Sequence, residues 1–408
     1  MTQKLHRPLV NEVVNNLNVI FNQKKYADKV IEQSIRNNHT WGARDRAFIA
    51  ENTYDIVRWI RLYQFCLTGH QDMRPLKQHQ MFAILAIHFM IKGVELPYWP
   101  EFDGINYQIV MQRRHEAMEI RKINQSIPDW LDQMGQAELG DQWETEITAL
   151  NKMAPFIIRV NTLKSTKREL IKNLADLKVE TQEIPGYDDA LLIINKTNLF
   201  RTELFKVGHF EVQDASSQMV AKFLQIDGNN MRIIDACAGA GGKTLHIAAL
   251  MQSKGKLISM DVEQWKLDEL RKRGRRAGVS NVETRLIEAN TVTELTDFAD
   301  RLLIDAPCSG LGVLKRNPDA KWKLQADFVE NIKKTQKEIL DKYHVMVKTG
   351  GKMLYVTCSI MPSENQNQVA TFLANHSNFT LEKEEIVLPS VSGYDGFYMA
   401  LMVKGQNL

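Results

Sequence analysis

The chain has 408 residues, 44% of them hydrophobic, with a formal net charge of +3 and four cysteines. That length exceeds what one core sustains, so two or three domains are expected, and so mild a charge leaves any nucleic-acid surface to local clusters. Cys66, Cys237, Cys308 and Cys358 lie far apart with no C-x-x-C pair, which argues against a disulfide framework and against a zinc site, and predicts a reducing, cytoplasmic setting.

The opening stretch MTQKLHRPLVNEVV lacks the apolar run of a signal peptide. Leu9, Val10, Val13, Val14, Leu17, Ile20 and Phe21 recur at helical spacing. The longest apolar run, Met81 to Ile91, is too short for a bilayer and reads as a buried helix. Such patterns continue to about residue 145 and predict an all-helical first domain, 1–145. From Pro155 the texture changes: FIIRVNTLK, the helix-like STKRELIKNLADL, then VETQEI, ALLII and HFEVQ predict a small α+β unit over 150–225. Arg159 and Asn161 lie at its start. After the linker-like IDGNN, strands alternate with helices from MRIIDA to KMLYVTC. The alternation predicts a parallel, doubly wound sheet over 226–408 that binds ligands at the strands' C-terminal ends. There is no internal repeat or low-complexity segment.

Asp235 to Thr244 reads DACAGAGGKT. A phosphate-binding G-x-x-x-x-G-K-[ST] loop needs its first glycine where Cys237 stands, and G-x-G-x-x-G begun at Gly239 meets Thr244 in place of its third glycine. What survives is a glycine turn at a helix N-terminus, where backbone can approach a ligand closely. Asp261 follows at the separation that lets an acid reach the hydroxyls of a ribose, although an acid there also serves as an ordinary helix cap. A loop too short for pyrophosphate suits S-adenosylmethionine, which carries no phosphate. Later strand ends bear Glu288 or Asn290, then Asp305 with Cys308 in DAPCSG, then Cys358 in YVTCS. A lone free cysteine is commonly a small buried hydrophobe; two at adjacent strand ends beside an acid point to nucleophilic chemistry suited to a pyrimidine ring. Lys315, Arg316 and Lys321 beside Trp322, and Arg159 with Asn161, offer clusters for the phosphates of a nucleic acid, while Trp322 reads equally as core.

Taken together, DACAGAGGKT, LLIDAPCSGLGVLKRNPDAKW, KMLYVTCSIMPSENQNQV and DGFYMA resemble the Sun/RsmB family of S-adenosylmethionine-dependent RNA cytosine-5 methyltransferases. FIIRVNTLK and FEVQDASSQMVA resemble its small RNA-binding subdomain, and GARDRAFIAENTYDIVRW the NusB-like helical domain of its bacterial ribosomal members. The resemblance implies an α/β fold: a Rossmann-like class I methyltransferase domain preceded by those two modules. It implies that Cys237, Ala238, Gly239, Ala240, Gly241, Gly242 and Lys243 line the cofactor with Asp305 nearby, that Asp261 holds the ribose, and that Glu288 or Asn290 stands where an acid usually meets the adenine. The loop departs from the usual Ala-Pro-Gly-Gly-Lys by reading Gly239-Ala240-Gly241-Gly242-Lys243. In the implied chemistry Cys358 adds to C6 of cytosine, Asp305 serves N3, and Cys308 helps remove the C5 proton. The rival assignment makes Cys308 the nucleophile, as in the Pro-Cys pair of DNA enzymes. The expected substrate is RNA, 16S ribosomal RNA first, with tRNA or a non-catalytic ribosome-assembly role as alternatives. A monomer with neither metal nor membrane partner is expected.

Overall fold

The computed structural model describes residues 4–195, 198–228 and 230–406. Residues 1–3 of the opening stretch and Asn229 of the linker-like IDGNN lie outside the described residues. The chain divides into two compact units, one formed by Met1–Lys152 with Leu314–Ala326, the other by Met153–Val313 with Asp327–Leu408.

The first unit is helical, and its helices run past the expected boundary to Leu150. The periodic residues Val10, Val13, Val14, Leu17 and Ile20 face its core, and the apolar run from Met81 lies within the helix Gln78–Ile91. No described helix is long and apolar enough to cross a membrane. The surprise is the second segment. Lys321 is buried, with Nζ donating to the Arg58 carbonyl at 2.9 Å and to Asn151 Oδ1 at 3.1 Å. Trp322 donates to the Val57 carbonyl at 2.7 Å, and Asp319 Oδ2 accepts the amide of Ala27 at 3.0 Å, capping the helix Ala27–Asn37. Residues 314–326 are thus a structural part of the helical unit, which no local signal in the sequence reveals.

The second unit opens with β1 (Ile157–Val160), β2 (Thr181–Glu183), β3 (Ala190–Ile193) and β4 (Phe210–Val212), an antiparallel sheet of order β2-β3-β1-β4. Its core gathers Ile158, Val160, Leu191 and Phe210 with Leu170 and Leu174 of the helix Lys167–Asp176. The large sheet follows: β5 (Arg232–Asp235), β6 (Lys256–Asp261), β7 (Val282–Leu286), β8 (Ala299–Asp305), β9 (Val347–Thr357), β10 (Phe379–Val387) and β11 (Phe397–Lys404). Its order is β10-β11-β9-β8-β5-β6-β7. The first five strands run parallel as expected. The last two form a hairpin with β11 antiparallel to β9, so the sheet is mixed rather than wholly parallel. Alternate residues face two cores: Ile234, Ile258 and Leu302 meet Leu340 and Phe372 on one side, while Ile233, Leu257 and Leu303 meet Ile247 and Val220 on the other. Burial on both faces explains the continuous apolar runs in these strands.

One close approach fixes the loop after β8. The Gly312 amide donates to the Cys358 carbonyl at 2.9 Å, and the Gly396 amide donates to the Gly312 carbonyl at 2.8 Å. A Cβ at position 312 would lie 2.4 Å from the Gly396 oxygen and 2.8 Å from the Cys358 oxygen, both backbone atoms with little room to shift. Gly312→Ala should therefore destabilise the protein by about 1–3 kcal/mol, the cost of overpacking. Denaturant titration would register a lower midpoint at unchanged slope; an unchanged midpoint would refute the constraint.

Candidate active site

The parallel register brings the polar strand ends to one edge. Asp235 pairs with Ser259 and Leu303, Asp261 with Leu286, and Asp305 with Val356. The glycine loop closes over this edge. Its Ala238 amide donates to the Met260 carbonyl at 2.8 Å, and Gly239 and Gly241 adopt φ of +55° and +87°. At Gly241 a side chain would also strike Leu270, with Cβ 2.6 Å from Cγ. Above Gly239 and Gly242, by contrast, a Cβ would meet nothing within 4 Å. That open space beside the loop fits a bound cofactor. Asp261 Oδ2 accepts the Gly239 amide at 3.0 Å and Oδ1 accepts the Glu263 amide at 2.9 Å, so this side chain ties the glycine loop to the turn that leads into the helix Gln264–Ala277. Glu288 and Asn290 are both exposed beyond β7.

Two carboxylates stand at the centre. Asp235 is fully buried; its Oδ2 accepts the Thr244 hydroxyl at 2.7 Å, while Oδ1 has no hydrogen-bond partner among the described residues. Burial, reinforced by the charge of Asp305, pushes the Asp235 carboxyl up to about 7. Asp305 Oδ2 accepts Lys243 Nζ at 2.6 Å, and Lys243 also lies 5.2 Å from the Phe397 ring centroid. Burial alone would lower the pKa of Lys243, but the charge and hydrogen bond of Asp305 override it and the ammonium is held above its ordinary value. Lys243 is thus a fixed cation beside Asp305 and not a loose surface residue.

Cys308 and Cys358 face each other with Sγ atoms 3.4 Å apart, both partly exposed and unoxidised. The hydrogen bond with Cys358, and then burial, hold the Cys308 thiol well above the usual range. Burial likewise raises Cys237, with Asp305 and Asp235 adding to the shift, which makes Cys237 a packing thiol. Among the described residues no cluster of three metal-ligating side chains occurs.

Several expected RNA contacts prove structural. Arg159 is buried, with Nη1 donating to the Gly242 carbonyl at 2.8 Å and to Gln213 Oε1. Asn161 Nδ2 donates to the carbonyls of Gly208 at 2.7 Å and Ala277 at 2.8 Å. Lys315 and Lys321 are buried in the helical unit, and Arg316 is half-buried. Arg159, Asn161 and Lys321 are buried and turn donors to internal acceptors, and Lys315 is covered. Sequence reasoning also missed Arg273, whose Nη1 donates to the Ala240 carbonyl at 2.8 Å while Nη2 meets Glu211 Oε2 of β4 at 3.0 Å. It lies in the basic run of the helix Gln264–Ala277, which as a pattern signals a solvated face.

Comparison with known proteins follows the geometry. Residues 221–403 match the family model of 16S rRNA methyltransferase RsmB/F, and residues 127–199 match that of the RsmF/B-like ferredoxin-like domain. The ribosomal RNA small subunit methyltransferase B of Klebsiella pneumoniae is 33% identical over 88% of this chain and 83% of its own. That of Yersinia enterocolitica is 31% identical over 88% and 91%. The crystal structure of PH0851 superposes with a TM-score of 0.83 over 99% of this chain and 100% of its own, at 23% identity, and so supports the fold. Sharing 33% of its residues with a methyltransferase B over 88% of its length, and matching the family model across its catalytic sheet, the chain belongs to the RsmB/F family and is an S-adenosylmethionine-dependent RNA methyltransferase.

Proposed function

We propose that the protein methylates C5 of a cytosine in 16S ribosomal RNA through a covalent bond between Cys358 and C6 of the base. The observation that carries this reading is the pair of thiols 3.4 Å apart, with Asp305 at the preceding strand end. Cytosine C5 is a poor nucleophile on its own. Addition of the Cys358 thiolate to C6 forms the S–C6 bond and moves the C5–C6 π pair onto C5, conjugated through C4 with N3, leaving C5 able to attack an electrophilic carbon. S-adenosylmethionine supplies that carbon as a methyl group on a sulfonium.

The chain's own groups do the rest. Asp305, as the carboxylic acid, donates its proton to N3 as negative charge develops there and takes it back when the ring is restored, while the Lys243 ammonium on Oδ2 stabilises the carboxylate in between. Cys308, protonated at the outset, donates to the Cys358 sulfur while that sulfur bears charge. Once C5 carries the methyl group, the Cys308 thiol passes its proton to solvent water and its thiolate takes the C5 proton; the C–H pair rebuilds the C5–C6 double bond and Cys358 leaves as thiolate, so one turnover releases one proton and returns both thiols to their starting forms. Asp261 and the backbone from Cys237 to Lys243 are assigned to the cofactor. The target base must leave its stack for either carbon to be reached. The helical unit has one thiol, Cys66, which is buried and pushed up to about 11 chiefly by that burial; we assign this unit to recognition of the RNA or the assembling particle.

The cofactor assignment predicts that Asp261→Ala weakens S-adenosylhomocysteine by about 1–3 kcal/mol, the worth of hydrogen bonds to a charged group. Calorimetry measures this directly, and unaltered affinity would reject Asp261 as a ribose ligand. The thiol roles predict opposite fates for two variants. Cys358→Ala should neither methylate nor bond to RNA, whereas Cys308→Ala should methylate once and stall as a protein–RNA adduct on a denaturing gel. Adducts from Cys358→Ala and none from Cys308→Ala would exchange the two roles. The substrate is tested by bisulfite sequencing of total RNA from a deletion strain. Loss of one protected cytosine in 16S RNA is expected; loss in tRNA alone, or no loss, would favour the transfer-RNA or assembly-factor alternative.

A further inference from the structure

Glu364 ends the short turn Pro362–Glu364 after β9 and is completely buried. A carboxylate can only accept hydrogen bonds, and a buried one is tolerable only if its acceptor sites are filled. Here they are filled from both cysteine loops. Oε2 accepts the Ser309 backbone amide at 2.8 Å and Gln336 Nε2 at 3.1 Å. Oε1 accepts the hydroxyls of Ser309 at 2.5 Å and Ser359 at 2.6 Å. Ser309 follows Cys308 and Ser359 follows Cys358, so one side chain grips the residue next to each thiol.

The grip extends to both sides of Cys308. Gln336 Nε2 also donates to the Pro307 carbonyl at 3.0 Å, so the residues before and after Cys308 are held through the same group. Each serine passes the constraint onward: Ser309 Oγ accepts the Leu311 amide at 3.3 Å, and Ser359 Oγ accepts the Met361 amide at 3.2 Å. Burying a carboxylate is expensive, but removing this one would leave four converging donors without an acceptor. The demand is for four converging acceptances from two loops, which neither an apolar residue nor an amide supplies. A glutamine would turn an N–H2 group toward donors. The Glu364 charge also adds, after the Cys358 hydrogen bond and burial, to what keeps the Cys308 thiol protonated.

We infer that Glu364 is a positioning residue that holds Cys308 and Cys358 in contact for the methylation cycle, acting through Ser309, Ser359 and Gln336 and touching neither thiol nor substrate. The inference rests on the two-thiol mechanism proposed above.

Dibromobimane, which fluoresces on bridging two thiols, tests it in the full chain, with peptide mapping to confirm the Cys308–Cys358 link. In Glu364→Gln the bridging should slow to the rate of two independent alkylations. Methyl transfer should fall roughly 100-fold in kcat, as misplacement by about 1 Å does. KM for RNA and affinity for S-adenosylhomocysteine should hold. A merely structural role would lower the melting temperature yet leave the bridging rate of the folded enzyme intact, and that result would overturn the inference. So would normal bridging with lost turnover, because the carboxylate would then act elsewhere. Slow bridging with full turnover would uphold the positioning and reject the two-thiol mechanism instead. Should Glu364→Gln not fold, Ser359→Ala removes a single donor and is read by the same criteria.

Discussion

Parallel pairing of β8 with β9 is the constraint from which the site follows. Adjacent strands lie about 4.8 Å apart and point the same way, so their last residues emerge side by side. With Asp305 opposite Val356, the loops that begin there must carry Cys308 and Cys358 past each other. Contact at 3.4 Å needs more than adjacency, and three links supply it: the Gly312 amide on the Cys358 carbonyl, the Gly396 amide on the Gly312 carbonyl, and the Glu364 carboxylate between the two serines. Gly312 has no side chain because the two strands' loops leave no room for one. Chemistry that needs two thiols on one ring therefore begins as a packing requirement on backbone.

The cofactor side is braced from another direction. Two carbonyls of the glycine loop are held by buried or half-buried guanidiniums: Ala240 by Arg273 and Gly242 by Arg159. Arg159 belongs to β1 of the small sheet, and Glu211 of β4 pairs with Arg273 and Arg276. The small sheet thus does more than present a surface, because it holds the shape of the glycine loop that we assign to the cofactor. Burial holds the Arg159 guanidinium down at about 10, still a cation at neutral pH and available as a donor.

Much of this was legible in the sequence, and the limits have physical causes. Hydrophobic period gave the helical unit, and alternation of strand and helix gave the doubly wound order, since both depend on nearest neighbours in sequence. The glycine turn, Asp261, Asp305 and both thiols could be found because each ends a strand and the sheet itself gathers strand ends. Polarity alone misled for Arg159, Asn161 and Lys321. A basic or amide side chain reads by polarity alone as a surface contact, while its actual acceptors lie from 47 residues away, for Asn161 and the Gly208 carbonyl, to 263 away, for Lys321 and the Arg58 carbonyl. Glu364 was in plain view within PSEN yet silent, because its meaning depends on Ser309 and Gln336 arriving from elsewhere. The antiparallel hairpin of β10 and β11 was overlooked because the count of alternating elements ended at YVTC.

The broken chain path of the helical unit has a consequence for how the protein is made. Synthesis runs from the N-terminus at about 5–20 residues per second, and domains ordinarily fold as they leave the ribosome. Here residues 1–152 emerge first but lack the piece that completes them, residues 314–326, until most of the polypeptide has been translated. For an interval on the order of ten seconds or more the nascent unit carries an open seam. In that seam the carbonyls of Val57 and Arg58 and the amide of Ala27 await Trp322, Lys321 and Asp319. The helical unit can therefore close only after residue 326 has been made, so the order in which its parts are synthesised and the order in which it is completed differ.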